Sequence, residues 1–433
     1  MEIYVVQPGD TIYSIADKYN ITVSKLIQEN GMINPEELVV GQTIIIVYPE
    51  KTYTVKDGDT LESISVENQV SLMQLLRNNP YLADRDYIYP GEELVISYNT
   101  KRKIVTNGIA YPFIKKDYLT KVLPNLTYLS VFNYRAAERG EVIAFYDDTE
   151  IIRTSKVYGT LPLMLISTLS LEGDANMEIS YSLLSNEEYQ DNYIENVLEI
   201  LKIKGYAGIN MVYNYIDAAN QSIYIKFIDK VASRIKQEGY LYFAIINPSL
   251  ENLEEHIVFE KIDYTDIGEV VDEIIFLKFV WGTNYGPPAP VSNITNMRAL
   301  IKYALTMVPA EKIVMGNPVI SYDWQLPYIQ GKSSAYSLTV DSALNLAKNV
   351  GAFFQFDEIS QTPFFTYNPI IIGPSFQHIV WSLDARSLNA MMNTVNEFSL
   401  KGIAFWNVMV FYPALWLMIN SQYDIVKLAP EQF

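Results

Sequence analysis

The stretch Gly205-Tyr206-Ala207-Gly208-Ile209-Asn210-Met211-Val212-Tyr213-Asn214-Tyr215-Ile216 alternates in character from one residue to the next. A strand period places the small and polar Gly208, Asn210, Val212 and Asn214 on one face, with Ile209, Met211 and Tyr213 on the other. Asn214 then stands where the strand ends. An amide there can donate and accept hydrogen bonds but has no proton to give near neutral pH, so the chemistry on offer is recognition of a hydroxylated ring. Asp217, three residues on, and Asp323, inside Tyr322-Asp323-Trp324, are carboxylates that could take over a proton transfer or bind hydroxyl groups. Trp281, Tyr285, Trp324 and Trp406 offer flat apolar faces on which pyranose rings stack, whereas Trp381 and Trp416 read as core.

Composition removes several other chemistries. The formal net charge of -18 repels nucleic-acid phosphates and anionic lipid surfaces, and no run of Lys or Arg makes a local exception. With no cysteine there is no thiolate nucleophile, disulfide or zinc ribbon. Two histidines, His256 and His378, are too few for a histidine-rich metal site, so neither a metal nor another cofactor is expected. The N-terminus shows no basic, apolar and small-residue succession of a secretory leader. No segment supplies the ~20 uninterrupted apolar residues of a membrane span.

The elements that must position these residues begin with a repeat. Tyr4-Val5-Val6-Gln7-Pro8-Gly9-Asp10-Thr11-Ile12 recurs as Tyr53-Thr54-Val55-Lys56-Asp57-Gly58-Asp59-Thr60-Leu61. Each copy reads strand, helix, helix, strand, and Asp10 or Thr11 is placed to cap the helix in which Ile12, Ile15, Ala16 and Tyr19 share a face. A basic hinge, Lys101-Arg102-Lys103, follows the second copy. Beyond it, strand patterns at 105–110, 128–132, 161–167, 208–214, 240–246, 273–279, 312–318 and 402–406 are separated by helical ones. The predicted fold class is α/β: two small βααβ modules, residues 1–48 and 52–98, followed over 104–433 by a (β/α)₈ barrel. An α+β insertion, roughly 322–381, lies between barrel strands seven and eight. Chemistry in such barrels sits at the C-terminal ends of the strands.

The doubled motif resembles the LysM module, which binds glycans containing N-acetylglucosamine. The resemblance implies sugar contacts at Gly9, Asp10, Thr11, Ile12, Asn34, Pro35 and Leu38, and in the second copy at Gly58, Asp59, Thr60, Leu61, Asp84 and Tyr87. Two weak sites on one chain raise avidity for a polymer.

The segment at 207–214 resembles the fourth strand of family 18 glycoside hydrolases, whose pattern is Asp-Gly, apolar, Asp or Asn, apolar, Asp, aromatic, Glu. Trp281-Gly282-Thr283-Asn284-Tyr285, Gly316-Asn317-Pro318 with Tyr322-Asp323-Trp324, Asp384-Ala385-Arg386-Ser387 and Gly402-Ile403-Ala404-Phe405-Trp406 extend the likeness. It points toward the LysM-bearing spore-cortex lytic enzymes, or spore germination proteins. The departures fall on the catalytic positions: Ala207 stands for the leading Asp, Val212 for the Asp that assists, and Asn214 for the proton-donating Glu. Phe279 replaces the Tyr that holds the substrate acetamido group, and Val280 the acidic residue after it. The resemblance implies substrate-assisted hydrolysis in which Glu protonates the leaving oxygen. Losing a general acid lowers a rate by about 10²–10⁴, or roughly 3–5 kcal/mol of barrier.

The sequence therefore predicts a binder of peptidoglycan or other N-acetylglucosamine-containing glycans, at the spore or cell wall, whose barrel is a pseudoenzyme. The competing expectations are a hydrolase with a relocated acid, Asp217 or Asp323, and a structural scaffold of a spore layer.

Overall fold

In a computed structural model of the chain, the residues described are 1–85, 87–167, 177–213, 216–247, 250–253, 256–259, 261–277, 285–369 and 376–430. Each N-terminal repeat forms the expected βααβ unit. In the first, Glu2–Val5 pairs antiparallel with Thr43–Ile46 around the helices Ile12–Tyr19 and Val23–Asn30. In the second, Lys51–Thr54 pairs with Glu93–Ser97 around Leu61–Asn68 and Leu72–Asn78. Thr11 and Thr60 cap their helices by accepting the amide protons of Ser14 and Ser63, each at 3.0 Å. The aspartate before each cap has another task. Asp10 accepts from the Gln7 amide and the Tyr4 hydroxyl, both at 2.7 Å, and so braces the turn.

Eight parallel strands close into a barrel: β1 (Arg102–Ala110), β2 (Tyr128–Ala136), β3 (Leu161–Ser167), β4 (Gly208–Tyr213), β5 (Leu241–Ile246), β6 (Glu273–Phe276), β7 (Ile313–Pro318) and β8 (Gly402–Trp406). Pairing runs in that order, and β8 returns to β1 with Trp406 beside Ile109. Helices such as Gln221–Gln237 and Ala385–Glu397 cover the outside. Between β7 and β8 the insertion adds a five-stranded sheet with His378–Trp381 at its centre, flanked by Ser321–Gln325 and Thr362–Tyr367, and backed by the helix Val340–Asn349.

Alternation along each strand sorts the side chains. Ile209, Met211 and Tyr213 face the helix layer and join the large outer core. Val105, Tyr128, Phe132, Leu163, Leu165, Val212, Phe243, Ile245, Ile275 and Trp406 fill the interior. The predicted hinge is not one. Lys101 donates its backbone amide to Gln422, and Arg102 begins β1 with its guanidinium on the carbonyls of Val395 (3.1 Å) and Leu400 (2.8 Å). The basic residues are spent on closing the barrel's N-terminal end, where charge can reach solvent and backbone carbonyls are left over from helix ends.

The repeats are docked rather than tethered. Ile45 and Val47 of the first and Val95 and Tyr98 of the second join the outer core of the barrel. Gly31 lies against Pro413, where an added Cβ would meet the ring at 2.3 Å.

Candidate glycan-binding sites

The C-terminal mouth of the barrel is built by the last inward residue of each strand. On β4, Gly208, Asn210 and Val212 point inward as predicted. Asn210 Nδ2 donates to Ser130 Oγ of β2 at 2.8 Å, and Ser130 Oγ donates to Asn107 Oδ1 of β1 at 2.9 Å. The other amide atoms, Asn107 Nδ2 and Asn210 Oδ1, are buried with no partner among the described residues, a donor and an acceptor inside the barrel. One step nearer the mouth the layer turns apolar: Ile109, Phe132, Leu165, Val212, Ile245, Leu277 and Trp406 are all buried. Among the described inward-facing strand residues the one carboxylate is Glu273, at the opposite end of the barrel, 2.8 Å from Lys401. Burial outweighs that lysine and raises its carboxyl to about 7.

Asn214, Phe279, Val280 and Trp281, and the side chain of Asp84, lie outside the described residues. Ala207 is half-buried immediately before β4, with its backbone amide on the Pro162 carbonyl at 2.8 Å. Trp406, 3% exposed, forms part of the mouth floor, with its ring edge-on to Phe132 (5.8 Å) and Tyr111 (5.9 Å). Trp324 is buried too, its indole N–H donating to the Gly286 carbonyl at 3.1 Å, so it acts as a wall rather than an open platform. Tyr285 is exposed, and its carbonyl accepts the Tyr328 hydroxyl at 2.6 Å.

The two spare carboxylates stand elsewhere. Asp217 Oδ1 accepts the backbone amides of Ala219 and Asn220, each at 2.8 Å, and so starts the helix Gln221–Gln237. Asp323 does not share the face of its neighbours. Tyr322 and Trp324 join the barrel-filling cluster, whereas strand alternation turns Asp323 to the other face of the insertion sheet. There it accepts the Tyr367 hydroxyl at 2.7 Å and pairs with His378 Nδ1 at 2.8 Å. As a sugar ligand or acid in the barrel cleft it is misdirected. A one-residue difference in strand parity, legible in the sequence, is the reason.

An aromatic path that the sequence reading did not single out leaves the mouth. Tyr111 and Phe113, in the loop after β1, are stacked at 5.2 Å and 18°, and Phe113 meets Tyr146 edge-on at 5.2 Å. Exposure rises along it, Phe113 and Tyr146 being 56% and 48% exposed, which suits rings offered to a ligand. The signal was available: Tyr111-Pro112-Phe113 directly follows a barrel strand, on the face where such barrels carry their sites.

In the repeats, the predicted residues form the same turn twice. Gly9 and Gly58 have φ of 88° and 85°, with open space where a Cβ would stand, and Asp59 repeats the Asp10 brace on Lys56 (2.7 Å) and Tyr53 (3.0 Å). Positive φ is why glycine is required there. Across the first groove the Tyr13 hydroxyl donates to Glu36 at 2.7 Å, beside exposed Asn34 and half-buried Pro35. Ile12 is buried and Leu38 packs on the same small core, so these two shape the loops from below. Leu61, half-buried, does likewise in the second copy. Tyr87 is exposed and edge-on to Tyr89 at 5.0 Å.

Among the described residues no group of three or more His, Asp or Glu is arranged to hold a metal ion, and no helix is long and apolar enough to cross a membrane.

Comparison with known proteins agrees with this geometry. Residues 4–47 and 53–97 match the LysM domain, and residues 163–409 match Glycosyl hydrolases family 18. The chain is 33% identical over 435 residues to a cortical fragment-lytic enzyme of Bacillus subtilis, covering 99% of both. The crystal structure of the spore cortex-lytic enzyme SleL of Bacillus megaterium superposes with a TM-score of 0.78 at 28% identity, covering 99% of both chains. A chitinase from Chromobacterium violaceum, 19% identical over 73% of this chain and 98% of its own, shares the fold with a TM-score of 0.64. With two LysM modules ahead of a closed eight-stranded parallel barrel, this chain belongs to glycosyl hydrolases family 18.

Proposed function

We propose that the protein binds peptidoglycan-type glycan of the spore or cell wall through its LysM turns and barrel mouth, without hydrolysing it. The domain limits that fit this reading are 1–48, 52–98 and 104–433. The observation that carries it is the apolar layer under the mouth. Val212, at the position where the family's assisting Asp stands, is packed among Phe132, Ile245 and Trp406, and Asn214 follows it in place of the acid. Among the described strand residues at the mouth floor, none is then a proton donor for a glycosidic oxygen, and none is a carboxylate beside a charge developing at the anomeric carbon. What remains is suited to binding: the Trp406 floor, the Tyr111–Phe113–Tyr146 path, and, from the sequence, Asn214, Trp281 and Tyr285. The relatives' names, cortical fragment-lytic and spore cortex-lytic enzyme, support the peptidoglycan class and the spore location.

The same relatives favour a second reading, an active cortex glycosidase, because they match over 99% of the chain at 33% and 28% identity. It requires a carboxylate other than the family's, and Asp217 is the candidate nearest in sequence. Incubation of cortex peptidoglycan with the wild type and with Asp217→Asn separates the two. Sedimentation with the glycan and no released muropeptide supports binding alone. Release that Asp217→Asn abolishes supports the enzyme.

A further inference from the structure

The loop 31–42 of the first repeat has two working sides. On one, Glu36 is tied to Tyr13 at the predicted sugar groove; on the other, Glu37 is ion-paired to Lys348 of the insertion helix. Between this second side and the insertion lies a crevice of about 150 Å³, partly open to solvent. Its base is pinned: the Phe354 amide donates to the Val40 carbonyl at 3.0 Å, and the Ala385 amide to Thr43 Oγ1 at 3.1 Å. Gly41 has φ of 84° and approaches the Phe354 carbonyl so closely that a Cβ would meet it at 2.2 Å. The two walls are therefore held at a fixed separation.

The polar groups at the crevice are unequally used. Lys348 neutralises Glu37, and Arg386 neutralises Asp384 at 2.6 Å. Asp341 lines the crevice with neither an ion pair nor a hydrogen bond among the described residues, and burial raises its carboxyl above the ordinary range. The side chains of Asn34 and Asn345, on facing walls, likewise make no hydrogen bond within the described chain. Leu344 and Met32 set apolar surface beside them. A second cavity of about 190 Å³ shares Val340, Asp341 and Tyr412 as walls and extends to Asn407, the residue after Trp406 of the barrel mouth.

We propose that this crevice is a further saccharide-binding site, built jointly by the first repeat and the insertion. Asp341 accepts ring hydroxyls, Asn34 and Asn345 bond from either side, and Leu344 lies under the ring. A neutral saccharide fits because the unspent groups are one acceptor and two amides next to apolar surface, a mixture that matches hydroxyls on a hydrocarbon ring. The assignment rests on the glycan-binding reading above and adds a site that meets the first LysM groove only at Asn34.

The test is calorimetric titration of the full chain with a β-1,4-linked N-acetylglucosamine tetramer. Asp341→Ala should weaken one class of site about tenfold, as expected for hydrogen bonds to a charged acceptor, and Leu344→Trp should remove that class while the others persist. Thermal melting shows whether each variant is folded; if Leu344→Trp is not, the isosteric Asp341→Asn decides. Titrations of both variants that match the wild type overturn the crevice site, while lost affinity in Asp59→Ala in the same experiment keeps the LysM reading. No binding by the wild type overturns the glycan reading itself. Asp341-dependent binding of free lysine, with none of the tetramer, overturns the saccharide in favour of an amine.

Discussion

Val212 on β4 lies in register with Ile245 on β5, and both point into the barrel interior with Phe132 and Trp406. A carboxylate cannot be placed at residue 212 without losing water on every side. Val212→Asp alone should therefore destabilise the fold by about 2–4 kcal/mol, the range for an uncompensated buried polar or charged group. Chemical denaturation of the variant checks this. A cost under about 0.5 kcal/mol would show that the mouth admits water and that the apolar layer is not sealed.

Stability should fall as pH rises from 4.5 to about 7. Burial raises the carboxyls of Glu273 and Glu29 from 4.5 to about 7. In that window the folded chain holds protons that the unfolded chain has released, so their contribution is full below about 4.5 and lost as pH passes 7. Urea midpoints at pH 5 and pH 8 measure the drop. Glu29→Gln with Glu273→Gln should make it smaller; an unchanged drop would place its origin in other groups.

The first repeat should be released by a single methyl group. Gly41→Ala puts a Cβ against the Phe354 carbonyl at a position whose φ is 84°, a change that costs about 1–3 kcal/mol through strain and the lost contact. Limited proteolysis should then cut between the repeats and the barrel faster than in the wild type. Equal digestion would mean that the docked arrangement does not depend on this approach.

Much of this was legible in the sequence because periodicity dictates it. The inward set Gly208, Asn210, Val212 and the outward set Ile209, Met211, Tyr213 follow from parity alone, as do the doubled Gly-Asp-Thr turns. Other features needed three dimensions. Asp10 and Thr11 both read as candidate helix caps, and Thr11 takes the role because the aspartate reaches back to Tyr4, a contact made only once the turn exists. Lys101–Lys103 reads as a hinge because its carbonyl partners come from residues 395–422, remote along the chain. The crevice against the first repeat is invisible for the same reason: its walls are some three hundred residues apart.

The caps at the two turns couple stability to binding. Thr11→Ala and Thr60→Ala each remove a bond to a helix amide and should cost about 1 kcal/mol. Co-sedimentation of the double variant with peptidoglycan should fall by more than either single change, since the two copies act together on a polymer. Full retention in the double variant would separate the turns from binding.

Whether the mouth can protonate a leaving oxygen is tested most directly by the muropeptides that the wild-type protein sets free from purified cortex peptidoglycan. The account predicts none from the native chain, and release at a rate raised at least about a hundredfold in a Val212→Asp/Asn214→Glu variant that remains folded. Steady release by the native sequence would contradict it.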